Sequence, residues 1–471
     1  MKLETITPTK VIECSSKKNV NYLLKKTVLQ PELTNEKCVY IKDGYIVLDF
    51  GKEYYGEPHI ITSFIDEGKP IKIRVRYGES LSECYSTVGE HGATNDHSIR
   101  DYTIDLPFYS NACLQKSGFR FMRVDFLDKN HGAYIKSIAL VVKKDERKPI
   151  YVYKGNDELI KKIFEAAKRT VDLCSLNGLV WDGIKRDELV WAGDLHPEAL
   201  ALFTLYGRSK ALEASIDFLR KGHKLPSYMN NFPTYSLWWM AAVSDYYFND
   251  KSNVSFIKRQ LPYIEKLVEQ YDNVLKDDGD LNFPQYFVDW PTVDSKDVLA
   301  GSRAIAIIGI SKAKALLKEF NMSVIHCDSA LNKLNKVEIV ANEMKQVVAL
   351  KYLATGKMSD EEYKLLTKGG ANGLSTFMSY YILNAIASRD EALAIKIMKD
   401  YYGTMLDLGA TTFFEDFDIS WAKDTARIDE FAKENQHDLH RDFGKYCYLG
   451  YRHSLCHGWS AGVIKFIKEH C

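Results

Sequence analysis

The fourteen residues from Trp181 to Asp194, WDGIKRDELVWAGD, hold four carboxylates, two cations and two indoles. The carboxylates are Asp182, Asp187, Glu188 and Asp194; the cations are Lys185 and Arg186; the indoles are Trp181 and Trp191. Acids this close oppose one another's ionisation, and a carboxyl group with a raised pKa can donate a proton near neutrality. The two cations can hold a neighbouring carboxylate ionised, so the stretch can separate an acid from its charged helpers. A solvated acidic turn capping the helix that begins near His196-Pro197 is the competing reading. Two indoles weigh against it, because exposed turns rarely spend them.

Three further stretches have the same character. GATTFFEDFDISW, Gly409 to Trp421, places Glu415, Asp416 and Asp418 among Phe413, Phe414, Phe417 and Trp421. NFPQYFVDWP contains Asp289 and Trp290, and RHSLCHGWSAG contains His457 and Trp459. Each sets polar hydrogen-bonding groups beside an aromatic plane, and each flanks a helical pattern. A sugar pocket needs that combination: hydroxyls pair with carboxylates and imidazole, and the ring's C–H face stacks on an aromatic. Glycoside hydrolysis needs two carboxylates on opposite sides of the scissile bond. Competing chemistries find less support. The sequence has no phosphate-cradling GxxxxGK[ST], no strand-following GxGxxG and no HExxH. His453 and His457, at spacing four beside Cys456, find no matching ligand cluster for a metal. No metal or other cofactor is expected, and no base or orienter is nominated for Cys456 as a nucleophile.

The elements that must position these residues fall into two halves. From about 38 to 145 the pattern is short and strand-like: YIVLDFG, EPHIITSFID, IKIRVRYGE, DYTIDLPFY, FRFMRVDFLD and YIKSIALVVKK, separated by Gly, Asn, Asp and Ser. IKIRVRY alternates apolar and basic, as a half-buried strand does. Six or seven strands predict an antiparallel β-sandwich over residues 1–148. After the polar stretch KKDERKPIYVYKGND the period changes. In DELIKKIFEAAKRTVDLC, Leu159, Ile163, Ala167 and Val171 share one stripe, which predicts an amphipathic helix. Similar segments follow to the end, among them SALNKLNKVEIVANEMKQVVALKYLATG, read as one helix. About a dozen helices with short connections predict an (α/α)6 barrel over residues 149–471. A helical solenoid is the competitor, but no fixed-period repeat is present. The polar, aromatic-rich stretches lie between helices, where a barrel would gather them at one mouth.

Composition narrows the partners. Lys+Arg and Asp+Glu balance at 63 each, so no net field draws nucleic acid or an anionic membrane. No stretch has the makeup of a signal peptide or a membrane span, and nine dispersed cysteines without a CxxC pair read as reduced thiols. A cytoplasmic protein is expected.

DGIKRDELVWAGD with the following LHPEALALF resembles the signature of bacterial α-L-rhamnosidases of glycoside hydrolase family seventy-eight, which are six-hairpin glycosidases. GATTFFEDFD resembles that family's Gly-Ala-Thr-Thr-x-x-Glu segment, and SLCHGWSAG its Ser-Leu-x-His segment. DFGKEYYGE, VRYGES and GFRFMRVDF resemble its β-sandwich motifs. The resemblance implies an (α/α)6 barrel with attached β-sandwiches and hydrolysis with inversion at the anomeric carbon. It implies Glu415 as general base and a proton donor in the first motif. Counted back from the closing Gly-Asp, the donor falls on Asp187; the Arg-Asp-Glu form of the motif would place it on Glu188. It also implies Asp182 and Asp194 as sugar-binding carboxylates, His457 as a sugar-contacting imidazole, and Trp191 and Trp290 as stacking faces. Arg186, Asp289 and Trp459 complete the expected substrate-contacting set. Inversion would set the carboxyl groups of Asp187 and Glu415 about 6.5–9.5 Å apart, with room for water. The sequence departs from the family's pattern at Gly183-Ile184, where Cys-Pro is usual, and at Val190, where Gly is usual. It also carries one sandwich, and no β-domain follows the last helix. The shorter chain would open the cleft or leave the pocket wall to a partner subunit, a second copy of this chain. The sandwich motifs lack a clustered acid–aromatic set, so the sandwich is expected to prop the barrel.

Overall fold

The computed structural model describes residues 2–185, 188–445 and 449–471. The alternation in IKIRVRY is realised in β5 (Ile71–Gly78): Ile71, Ile73 and Val75 are buried, while Lys72 is exposed. Around it lies an antiparallel sheet of nine described strands. The others are β1 (Leu3–Ile6), β2 (Lys10–Cys14), β3 (Val39–Lys42), β4 (Gly44–Ile65), β6 (Asp101–Leu106), β7 (Asn111–Cys113), β8 (Ser117–Phe126) and β9 (Gly132–Lys143). β4 joins the two layers. Its first half pairs with β2 and β8, its second half with β7 and β9. Between them the register with β8 shifts from Asp49 to Tyr54, around Gly51 at φ +81°. Ile46, Leu48 and Phe50 from the first half then share one core with Ile60, Ile138 and Leu140. YIVLDFG and EPHIITSFID, read as two strands, are thus one strand of 22 residues. A short helix, α1 (Leu81–Tyr85), capped by Ser80, follows β5.

The helices sort by how much of their circumference is apolar. α2 (Glu158–Ser175), α4 (Lys210–Gly222), α6 (Val254–Val274), α8 (Ile325–Leu334), α10 (Asp360–Thr367) and α12 (Glu391–Asp407) each keep a polar stripe in water. α3 (Leu195–Tyr206), α5 (Pro233–Asn249), α7 (Val298–Glu319), α9 (Lys345–Thr355) and α11 (Ser379–Ala387) are buried on nearly every face over a turn and a half or more. A helix without a polar stripe belongs inside. These five form the inner wall in that order, and the turn Gly458–Gly462 with α14 (Val463–His470) closes the ring back onto α3. Twelve helices thus alternate outer and inner in a closed (α/α)6 barrel. One apolar core runs through all of it. A short helix, α13 (Leu439–Asp442), precedes the last inner turn.

The segment read as a single helix from Ser329 to Gly356 is broken. α8 ends at Leu334 and α9 starts at Lys345. The break has a tertiary cause. The buried Asp297 carboxylate, at the head of α7, accepts the backbone N–H groups of Asn342, Glu343 and Met344 at 2.8–3.0 Å. Chain order makes the inner helices parallel, so their N-terminal ends meet at one mouth. Each end carries a partial positive charge, which favours anionic groups there.

The sheet packs against the barrel beside this mouth. A Cβ on Gly118 of β8 would lie 2.4 Å from the Ile184 carbonyl oxygen, so only glycine lets the two backbones approach. Tyr55 of β4 meets Trp181 edge-on at 5.3 Å. Among the described residues no helix is long and apolar enough to cross a membrane.

Candidate active site

The first and last motifs meet. Gly183 and His457 form an antiparallel bridge, and the Gly458 N–H donates to the Asp182 carbonyl at 2.6 Å. A Cβ on Gly458 would lie 1.8 Å from Glu198 Oε1, so this contact requires glycine. Asp182 and Leu189 are joined twice. The Asp182 N–H donates to the Leu189 carbonyl at 2.9 Å, and Asp182 Oδ1 accepts the Leu189 N–H at 3.0 Å. Arg186 and Asp187, between them in sequence, lie outside the described residues.

Glu415 is enclosed on all sides. It is 1% exposed. Its N–H donates to the Ser454 carbonyl and its Oε2 accepts the Ser454 N–H, both at 2.9 Å. Its own carbonyl accepts from Thr376 Oγ1 at 2.5 Å and Trp459 Nε1 at 2.8 Å. His457 Nε2 lies 3.5 Å from Glu415 Oε1 and 3.9 Å from Asp194 Oδ2. One imidazole therefore stands between an acid of the last inner loop and an acid at the head of α3. Beneath Asp194, Glu198 is buried, and burial followed by the nearby Asp194 pushes its carboxyl well above the usual range.

The other predicted residues divide. Asp289 is buried at the turn before α7. Its Oδ2 accepts the Ser375 hydroxyl at 2.6 Å, and its Oδ1 accepts the Thr292 N–H at 3.1 Å and also the Thr292 hydroxyl. Burial raises its pKa. Trp290 lies half-buried against Phe287, and Trp191 half-buried against Tyr235. Trp459 is nearly fully enclosed; it stacks on Phe377 at 5.0 Å, with its N–H on Glu415, so it holds the acid's backbone. Glu188 turns to the sheet. Its Oε2 accepts the Tyr55 hydroxyl at 3.0 Å, and burial raises its pKa, with Tyr55 and Lys116 pulling it back.

Lys185 does not serve the neighbouring acids of its own motif. Its Nζ is buried 3.1 Å from Glu79 Oε2 and 3.4 Å from Glu83 Oε1, both fully buried acids of the sandwich. It also donates to the carbonyls of Tyr451 at 2.9 Å and His453 at 2.5 Å. Glu79, Glu83 and His440 could converge on a metal ion, but the ammonium, 3.4 Å from His440 Nε2, fills that centre. Burial, then the Lys185 charge, holds His440 well below its usual pKa. The neutral ring gives its Nε2 proton to the His453 carbonyl at 2.8 Å and accepts from Ser80 Oγ at Nδ1. A separate groove of about 790 Å³ runs between the sheet and α2, lined by Lys52, Lys143, Arg147 and Arg169; no described candidate acid lines it.

Asp416 follows Glu415 in the same motif. It is half-buried, its N–H donates to His453 Nε2 at 2.7 Å, and burial, then the charge of Asp289, push its pKa up to about 6. From pH 4 to 6 the folded chain therefore keeps a proton that the unfolded chain has lost, so this group's contribution to stability falls as pH rises through that window and is constant above it. Asp416→Asn should match the wild type near pH 4 and be more stable by about 1–2 kcal/mol at pH 7.5. Urea unfolding of both proteins at the two pH values checks this.

The fold of this chain, an antiparallel β-sandwich followed by an (α/α)6 barrel, is similar to that of solved α-L-rhamnosidases. A rhamnosidase from Klebsiella oxytoca, solved with rhamnose bound, superposes with a TM-score of 0.74 at 18% identity, over 99% of this chain and 96% of that one. A family 78 rhamnosidase of Bacillus sp. GL1 gives 0.72 at 16% identity, over 96% of this chain and 48% of that one. An α-L-rhamnosidase from Dictyoglumus thermophilum gives 0.67 at 15% identity, over 99% of this chain and 51% of that one. The chain spans nearly all of the first and about half the length of the other two. No protein-family model matches the chain, and no curated protein matches it in sequence.

Proposed function

We propose that the protein is a glycoside hydrolase that releases terminal α-L-rhamnose from rhamnosylated glycans or glycosides with inversion. In this reading Asp187 donates a proton to the glycosidic oxygen as the bond from the anomeric carbon breaks. Glu415 takes a proton from the water whose oxygen attacks that carbon from the opposite face. Asp182, Asp194, Asp289 and His457 hold hydroxyls, Arg186 adds a cation beside them, and Trp191 and Trp290 flank the ring. The observation that carries the reading is Glu415: a fully buried carboxylate, hydrogen-bonded by a backbone N–H, with His457 bridging it towards Asp194. A uronic-acid substrate is less well supported, because Lys185 is committed to Glu79 and Glu83. We further propose a cytoplasmic protein whose domains divide near residue 148.

A panel of aryl glycosides tests the substrate, with proton NMR on the first-formed anomer. Turnover of the α-L-rhamnoside with β-L-rhamnose appearing first is the expected result. Retention of the α-anomer would reject the single-displacement mechanism. Turnover of another deoxy-sugar or a uronide in place of the rhamnoside would reject the sugar.

A further inference from the structure

The reading above gives Glu79 no part, yet this fully buried carboxylate at the end of β5 reaches into the barrel's last loop. Its Oε2 accepts the Leu455 N–H at 2.6 Å, and its Oε1 shares the Ser454 hydroxyl proton with the Cys456 carbonyl, each at 3.3 Å. Ser454 is the residue whose N–H and carbonyl grip Glu415. The ammonium on the other side of Glu79, Lys185, donates to the carbonyls of Tyr451 and His453 in the same loop. Lys185 belongs to the first motif, two residues before Asp187. One buried ion pair therefore touches both the motif that carries the proposed acid and the loop that grips the proposed base.

Apolar side chains would fill this seam without the desolvation that a buried pair costs. What they could not do is direct hydrogen bonds at chosen atoms. Here those bonds fall on consecutive loop residues, His453, Ser454 and Leu455. The far side of the loop is occupied by the site itself, with Asp416 bonded to His453 and Glu415 to Ser454. The loop is gripped between sandwich and site.

We infer that Glu79, paired with Lys185, is a positioning residue for the reaction: the sandwich uses it to fix the 451–457 loop, and through Ser454 to aim Glu415. This rests on the reading of Glu415 as general base. A misplacement of about 1 Å at a reacting group can cost on the order of 10²-fold in rate. Glu79→Gln keeps the size and one acceptor but loses the charge. It should lower kcat at least ~10-fold with KM within about twofold, because substrate still meets the same side chains. Hydrogen exchange, read without substrate, should be at least ~5-fold faster for the amides of 449–457 as the loop loosens.

The double variant E79Q/K185M removes both members of the pair, leaving Glu83 to Arg100 at 3.9 Å, and carries the test if the single variant does not fold. A merely structural pair would lower Tm in the single variant, and the double variant would recover wild-type kcat; positioning predicts that kcat stays low. Wild-type kcat together with wild-type exchange in a folded variant would overturn the inference. If the wild type itself turns over no glycoside, the proposed function fails, while the exchange measurement still decides whether Glu79 fixes the loop.

Discussion

Glu415→Gln should lower kcat on an aryl α-L-rhamnoside by about 10²–10⁴-fold, the range a positioned general base contributes, and leave Tm unchanged. The side chain keeps its shape, and the amide oxygen can still accept the Ser454 N–H that now bonds Oε2. The bonds to the Glu415 backbone, from Thr376, Trp459 and its own N–H to Ser454, involve no side-chain atom of residue 415. The backbone bonds that hold the loop stay, and only the contact of Oε1 with His457 at 3.5 Å loses its negative charge. What is lost is the ability to take a proton from water. Sugar binding should survive, because hydroxyls can still meet Asp182, Asp194 and His457. Initial rates, thermal unfolding and rhamnose binding by tryptophan fluorescence measure all three. A kcat within about threefold of wild type would remove Glu415 from the chemistry. Loss of folding along with rate would instead mean that its charge is structural.

Much of this architecture is legible in the sequence because its causes are local. The stripe Leu159, Ile163, Ala167, Val171 makes α2 amphipathic, and LHPEALALFTLY, with apolar residues all round, makes α3 an inner helix. The unread parts have distant causes. Pro58 suggests a break after YIVLDFG, since proline donates nothing to a sheet ladder. In β4 it nevertheless pairs with Leu140, and its carbonyl serves the Leu114 N–H, so the strand runs on. The break between α8 and α9 is imposed by Asp297, 45 residues before Asn342. The same rule governs the site. Asp182, Asp194, Glu415 and His457 stand in short acid–aromatic stretches that sequence can flag. Glu79 stands in VRYGES, an ordinary half-buried strand and turn, and meets Leu455 across 376 residues. No spacing pattern can announce such a contact. The expectation that the sandwich props the barrel therefore understates it, because the sandwich supplies two buried acids to the lysine of the first motif.

The identity of the proton donor separates two adjacent residues with different expected signatures. Glu188 has one trait of an acid, a pKa raised by burial. That trait marks functional acids only in combination with place. The carboxyl of Glu188 receives the hydroxyl of Tyr55, whose ring packs on Trp181 and under Lys116, so it is spent on the sheet side of the seam. Asp187→Asn should therefore cost about 10²–10⁴-fold in kcat/KM on an alkyl rhamnoside, whose leaving oxygen needs a proton. On a dinitrophenyl rhamnoside, whose phenolate leaves without one, the loss should shrink towards unity. Glu188→Gln keeps an acceptor for Tyr55 and should cost less than about tenfold, the worth of one hydrogen bond, equally on both substrates. The dependence on leaving group is what separates the roles, because a residue that only shapes the pocket would slow both substrates alike. If the leaving-group dependence follows residue 188 instead, the donor is Glu188. The Tyr55 hydroxyl would then be a group that the sandwich contributes directly to the acid, and Tyr55→Phe should reproduce part of the loss on the alkyl substrate alone.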